Sequence, residues 1–498
     1  MPRITQADLE KYLFRCADIL RNNVEASSYR DYIFPLLFFK RISDVYDEDI
    51  ENAKKEYGDS WKDFPEDEIH DFSIPDGCHW NDLRVVTDNV GIAIQKAFQG
   101  IESMNADKLG GVFGNTNWAN KAKLPDRMLK DLIEHLSMLT LSIENCPEDE
   151  LGHGYEYLIG KFDSDDGHTA QQFYTNRTVA HLMAEMLNPQ PKESIYDPTC
   201  GSGGILISCI DHIKNRGQEW RNVKVYGQEI IPPTASICRM NMFLHGVKEF
   251  TIRTGDTLST PTFLERDRLK TFDVVVANPP YSISNWDRDA FSTDKYGRNF
   301  LGTPPQGRAD YAFIQHILKS MDKDSGRCAI LLPHGVLFRN EETDMRNKLV
   351  ECDLIEAVIG LGKNLFYNSP MEACILVCRS NKPLNRMGKI LFINAKDEVT
   401  RKNAESYLED SHIDRIADIY SKFETEQGFS AVATTKEIMK NGGRLSIPLY
   451  VRSSISGSST GEEIQEAANE WLSRTSSLRE EFDKLNSLLR KGDDHADI

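Results

Sequence analysis

Between residues 194 and 378 short β-branched or apolar runs alternate with helical segments, and few architectures accept that texture. The candidate strands are Ser194 to Tyr196, Val223 to Tyr226, Thr251 to Arg253, Val274 to Ala277, Cys328 to Leu332, Leu354 to Gly360 and Cys374 to Cys378. Apolar strands separated by enough chain for crossover helices predict an α/β domain built on a parallel sheet. The run KILFINA, starting at Lys389, resembles a further strand.

The flanks read differently. DLEKYLFRCADILRN places Leu9, Leu13, Cys16 and Leu20 at helical spacing, and FPLLFFKRISDVYDEDI and DRMLKDLIEHLSML continue the pattern, which predicts an all-α N-terminal domain. The expected divisions are a helical domain over 1–160, the α/β domain over 161–400, a C-terminal extension over 401–452, a Ser/Gly linker (SSISGSSTG) over 453–461 and an amphipathic helix over 462–498. In that tail Ile464, Ala468, Trp471, Thr475, Leu478, Phe482, Leu485 and Leu489 form one apolar seam, as in a coiled coil. The seam suits either the protein's own body or a partner's helix.

Composition matters here chiefly for what it excludes. The ten cysteines form no C-x-x-C pair and no cluster with histidine at zinc spacing, so neither a disulfide framework nor a metal site is expected. MPRITQADLEKYLF lacks a signal-peptide pattern, and the apolar run Tyr32 to Phe39 is broken by Pro35, so a soluble cytoplasmic protein with no membrane span is expected. The net charge of −18, from 77 acidic against 59 basic residues, shows no overall basic footprint. Phosphate neutralisation supplies much of any grip on nucleic acid, so acting on DNA would require a local basic groove or a separate subunit.

Chemistry gathers at the strand ends. IYDPTCGSGG ends the first strand with Asp197, turns through Thr199, Gly201, Ser202, Gly203 and Gly204, and enters a helix. Such glycines let backbone amides approach a ligand where doubly wound folds bind nucleotides. The spacing fits neither a G-x-G-x-x-G fingerprint nor a P-loop, which disfavours pyrophosphate and triphosphate cofactors. VYGQEI ends the second strand with Glu229, suited to ribose hydroxyls, and TGD after the third offers Asp256 to an adenine amino group. The fourth strand, VVVA, runs into Asn278, Pro279, Pro280 and Tyr281, which cannot continue a ladder.

These motifs in this order resemble the amino-methyltransferases that use S-adenosylmethionine (AdoMet). In particular they resemble the modification (M) subunit of type I restriction–modification systems, an N6-adenine DNA methyltransferase. The likeness extends over YRDYIFPLLFFKRISD, QQFYTNRTVA, DPTCGSGG, GQEI, ANPPYS, GRCAILLPHGVLFRN, NLFYNSPMEACILV and RLSIPLYV. It implies a seven-stranded Rossmann-like methyltransferase domain. The family usually has proline after F-Y-T, where this chain has Asn176.

The resemblance implies roles as well. Gln171, Gln172, Phe173, Tyr174, Thr175 and Asn176 would help enclose the methionine end of AdoMet, above a floor formed by Asp197 through Gly204. Glu229 would hold the ribose, Asp256 the adenine, and Asn278 through Tyr281 the target base, with Phe366 or Tyr367 as a second stacking wall. The amide oxygen of Asn278 and the carbonyl of Pro279 are acceptors for an exocyclic amino group, held convergent by two stiff residues, while Tyr281 offers a face to a base flipped from its stack. No metal or covalent nucleophile is required, and His334 reads as a structural histidine.

The long polar loop over 282–311 contains four arginines or lysines and suits a cover over the base or a contact to the DNA backbone. No independent sequence-reading domain is visible. The implied partners are therefore double-stranded DNA, a specificity (S) subunit, a restriction (R) subunit and a second M copy. Two other readings stay open at this point: a different methyl acceptor, protein glutamine or RNA, and a catalytically silent scaffold.

Overall fold

A computed structural model of the chain describes residues 6–21, 23–165, 175–365, 372–402 and 405–452. Gln171, Gln172, Phe173, Tyr174, Phe366 and Tyr367, the linker over 453–461 and the helix over 462–498 lie outside the described residues.

In chain order the strands are β1 (Ser194–Asp197), β2 (Lys224–Glu229), β3 (Phe250–Thr254), β4 (Leu264–Glu265), β5 (Arg268–Leu269), β6 (Val274–Ala277), β7 (Arg327–Pro333), β8 (Ile355–Leu361), β9 (Ala373–Arg379), β10 (Lys389–Ala395), β11 (Thr400–Lys402), β12 (Glu405–Tyr407) and β13 (Ser430–Thr434). Nine of them form one sheet in the order β13-β10-β8-β9-β7-β6-β1-β2-β3, while β4 with β5 and β11 with β12 make small separate pairs. All seven expected strands are present. KILFINA is β10, and β13 adds an antiparallel edge strand.

The sheet is not wholly parallel, as the sequence reading had it: β9 runs antiparallel to both β7 and β8. Its connection from β8, between Leu361 and Ala373, is shorter than the dozen or more residues a parallel crossover needs. The short link turns the chain back beside the strand it has just left.

Alternate residues of each strand face opposite layers. Ile195, Val274 and Val276 join the core under the helices Arg177–Leu187, Gly204–Asn215 and Asp410–Lys422, whereas Tyr196, Val275 and Ala277 join the core under Asp310–Lys319 and Thr343–Glu351. Both faces being covered explains why Val274–Ala277 reads as a continuous apolar run.

In the N-terminal region Leu9, Leu13, Cys16 and Leu20 are all fully buried, as their spacing predicts. They share one cluster with Ile237, Met240 and Leu244 of the Pro232–Leu244 helix, so the helical region packs on a helix of the sheet layer. Each such buried side chain contributes roughly 1.5–3 kcal/mol. Among the described residues no helix is long and apolar enough to cross a membrane.

At position 176 the asparagine takes φ −51°, close to what a proline ring would impose. Its Oδ1 accepts from the backbone N–H of Thr178 at 3.0 Å and so caps the Arg177–Leu187 helix. Where the resemblance implies proline, this chain thus places an asparagine whose side chain caps the helix.

Candidate active site

β1 sits between β2 and β6, and the chain runs out to β3 before returning to β6. That reversal of strand order opens a crevice at the carboxyl ends of β1 and β6, where ligands of doubly wound sheets bind. Asp197 is the last residue of β1, and Asn278 is the first beyond β6.

The turn after β1 is held by its neighbours. Asp197 is 1% exposed, and its Oδ1 accepts from the backbone N–H of Thr199 at 2.9 Å. Burial raises its carboxyl from the usual 3.8 to about 7, with the nearby Glu229 adding to the rise and the Thr199 N–H opposing it. Gly203 has φ +88°, and a Cβ there would lie 2.6 Å from Met242 Cε and 2.9 Å from Cys238 Sγ. This glycine serves both a left-handed turn and close helix packing. The Gly204 position opens onto free space, with nothing within 4 Å of a Cβ built there, and the carbonyl of Ser202 is fixed by Asn241 Nδ2 at 2.9 Å.

Glu229 ends β2 facing this turn. Its Oε2 accepts from the Gly201 N–H at 3.0 Å and its Oε1 from the Ile231 N–H at 2.9 Å. Burial pushes its pKa up, and those backbone donors oppose the rise. Asp256 shapes its own turn, accepting from the Leu258 N–H and the Ser259 hydroxyl, each at 2.9 Å.

Gln228, which the motif reading passed over, is fully buried. It donates to the carbonyls of Gly255 and Thr260 and accepts from Thr262 N–H at 3.1 Å. It therefore fixes the loop that presents Asp256. The available signal was a polar amide directly before Glu229 at the end of the strand.

On the other side of the crevice, Asn278 Nδ2 donates to Thr175 Oγ1 at 3.1 Å, and Asn278 Oδ1 accepts from the Tyr281 hydroxyl at 2.9 Å. Burial holds the Tyr281 phenol well above its ordinary pKa, so it remains a neutral donor. The sequence reading gave Tyr281 only a stacking face; its hydroxyl also orients the amide. Asn176, by contrast, spends its amide on the helix cap and on the Ser406 carbonyl.

A cavity of about 210 Å³ joins these parts, lined by Pro198, Thr199, Glu229, Asp256, Asn278 and Pro280 together with Ile230, Ile231, Thr257, Leu258, Ile283, Asn285, Trp286 and Phe313. Among the described residues its lining includes two carboxylates, several apolar side chains and no lysine or arginine. The apolar wall went unread in the sequence because it gathers Ile230, Ile231 and Leu258, Ile283 and Trp286 of the 282–311 loop, and Phe313 of the Asp310–Lys319 helix. Trp286 Nε1 donates to the Gln306 carbonyl at 2.9 Å, and Trp286, Phe291 and Phe313 pack with Leu258 in a small core. His334 lies elsewhere, with Nδ1 3.8 Å from Glu372 Oε2.

Comparisons with known proteins place the chain in a family. The family model for N-6 DNA methylase matches residues 147–457, and that for the HsdM N-terminal domain matches residues 9–136. The chain is similar to the type I restriction enzyme MjaVIII methylase subunit of Methanocaldococcus jannaschii, 31% identical over 98% of this chain and 86% of the relative. It is also similar to the MjaIX methylase subunit of the same organism, at 28% over 97% of this chain and 90% of the relative. Among solved structures, the type I restriction–modification methyltransferase subunit of Streptococcus thermophilus superposes with a TM-score of 0.78 at 28% identity, covering 90% of this chain and all of that one. The chain thus belongs to the N-6 DNA methylases, as a methylase subunit of the type I restriction enzyme kind.

Proposed function

We propose that the chain methylates the exocyclic amino group of an adenine flipped out of duplex DNA, taking the methyl group from AdoMet. The observation that carries the site assignment is the shared cavity: Asn278, Glu229, Asp256 and the turn after Asp197 line one space.

The residues present fit AdoMet. A cationic ligand with a ribose and an adenine needs carboxylates and apolar faces, and a cavity whose described lining has no lysine or arginine is poorly suited to phosphates. Asp197 and the turn to Gly204 would form the floor, Glu229 would take the ribose hydroxyls, and Asp256 the adenine edge. Ile230 and Phe313 supply apolar surface for the adenine ring. When bound, AdoMet supplies an electrophilic methyl group on a sulfonium cation.

The protein's part is positioning. The amino group of adenine is a weak nucleophile because its lone pair is delocalised into the ring. Asn278 Oδ1 has two lone pairs, and the Tyr281 hydroxyl takes one. The other is free for an amino hydrogen, with the Pro279 carbonyl as the second acceptor. Thr175 fixes the amide's nitrogen end, so the Asn278 acceptor need not reorganise as the reaction proceeds.

Sequence recognition is assigned to a specificity subunit, with a restriction subunit and a second copy of this chain completing the larger assembly. The net charge of −18 supports shared DNA binding, since the chain has no overall basic footprint.

The decisive experiment is Asn278→Ala in the assembled complex, with labelled AdoMet, unmethylated DNA and calorimetry of cofactor binding. Transfer should fall at least a hundredfold while AdoMet affinity stays within a few-fold, as for removal of a preorganised polar group. Unimpaired transfer removes Asn278 from the chemistry.

A further inference from the structure

A second opening lies just past Tyr281, and its side chains have no task in the assignment above. It is a groove of about 710 Å³ whose lining includes Arg308, Phe338, Arg339, Glu341, Arg444 and Leu449. Its lining holds three guanidinium groups and one carboxylate, in a chain whose net charge is −18. Phe338 is 47% exposed and Leu449 48%, so an aromatic ring and an aliphatic side chain stand open to solvent beside the arginines.

The groove is built by buried contacts. Arg346, 1% exposed, donates to the carbonyls of Arg339 at 2.9 Å and Gly443 at 3.0 Å, tying together the two segments that carry Arg339 and Arg444. Leu445 N–H donates to the Leu337 carbonyl at 2.9 Å, next to Phe338. Arg339 lies across Gly335, where an added Cβ would sit 2.3 Å from its Nε.

The same arginine links the groove to the reaction site. Its Nη1 bonds Asp310 Oδ2 at 2.7 Å, and Asp310 Oδ1 accepts from the backbone N–H of Ser282, the residue directly after Tyr281. Arg339 is thus balanced by Asp310, with Glu342 also 3.3 Å away, and serves to position the loop. Arg308 differs: it meets Glu341 at 3.3 Å, with side chains 38% and 65% exposed, a screened pair that a phosphate can replace. Arg444 is exposed on the opposite segment.

We infer that this groove seats the DNA backbone beside the extruded nucleotide. Arg308 and Arg444 each contact a phosphate, and Phe338 lies against an adjoining sugar or base. The inference rests on the DNA methyltransferase reading and adds to it the place where a strongly acidic subunit grips its substrate.

The test uses the assembled complex and unmethylated genomic DNA, with variants Arg308→Gln, Arg444→Gln, Arg444→Lys and Phe338→Ala, and Arg221→Gln as an exposed control. Each Gln variant should weaken DNA binding about tenfold and lower the slope of log affinity against log salt by about 0.9. AdoMet affinity and kcat at saturating DNA should be unchanged. Arg444→Lys should restore the slope, and Phe338→Ala should weaken binding without altering it.

An unchanged affinity and slope in the Arg308→Gln/Arg444→Gln double variant overturns the inference. So does loss of the co-purifying subunits at an unaltered slope, which would make the groove a protein interface. A wild-type complex that transfers no methyl group to DNA would instead defeat the functional reading itself.

Discussion

The side-chain oxygen of Asn278 accepts a hydrogen bond from the hydroxyl of Tyr281, three residues along the same turn, at 2.9 Å. The contact gives Tyr281 a task distinct from presenting an aromatic face. A ring alone can stack against a base, but only the hydroxyl can hold the amide's acceptor in one direction. Tyr281→Phe separates the two. It should lower kcat about tenfold, leave AdoMet affinity unchanged, and raise KM for DNA less than twofold because the face remains. Equal effects of Phe and Ala on KM and kcat would remove the orienting role.

Gly203 is fixed by two independent constraints. Its φ of +88° costs a side-chain-bearing residue about 1–2 kcal/mol, and the Cβ would crowd Met242 and Cys238 from the facing helix, adding about 1–3 kcal/mol. Gly203→Ala should therefore lower unfolding stability by about 2–5 kcal/mol in urea titrations. Because we propose that this turn forms the floor under AdoMet, affinity for it should fall more than tenfold even where the variant remains folded. A melt within 0.5 kcal/mol of wild type would show that the helix gives way at no cost.

Much of this site was legible because each motif ends a strand. Val274–Ala277 could be read as a buried strand from its residues alone, and the prolines after Asn278 fixed where it stops. Asp197, Glu229 and Asn278 followed from that, since strands of one parallel sheet end on a common edge. The reversal of β9 was not legible from local pattern, because it depends on the length of a connection. β13 escaped because Ser430–Thr434 is a half-buried edge strand of small residues. The aromatic wall of Trp286 and Phe313 escaped for a different reason: Trp286, in a loop tied back on the Gln306 carbonyl, meets Phe313 of the Asp310–Lys319 helix only in the folded chain. Arg308, Arg339 and Arg444 are widely separated in sequence, and only buried Arg346 and the Asp310 link bring their segments together.

The buried carboxyl of Asp197 should make cofactor binding sensitive to pH. Burial lifts it from 3.8 to about 7, so between those values the folded chain holds a proton that the unfolded chain has released. Folding stability of the ligand-free protein should therefore fall as pH rises from about 4 through 7, the sign expected when the native state binds more protons. AdoMet binding should show the opposite trend. A sulfonium and an ammonium favour the ionised carboxylate, so binding expels the proton, and affinity should climb by up to tenfold per pH unit below about 7 before levelling off. Glu229, also raised by burial, adds a parallel contribution. The diagnostic quantity is thus the difference between wild type and Asp197→Asn, measured by calorimetry in two buffers of unlike ionisation enthalpy. The variant should release about one proton fewer at pH 6 and show a flatter stability profile in urea melts at pH 5 and pH 8. Identical proton release by the two proteins would mean that Asp197 is already ionised in the free site.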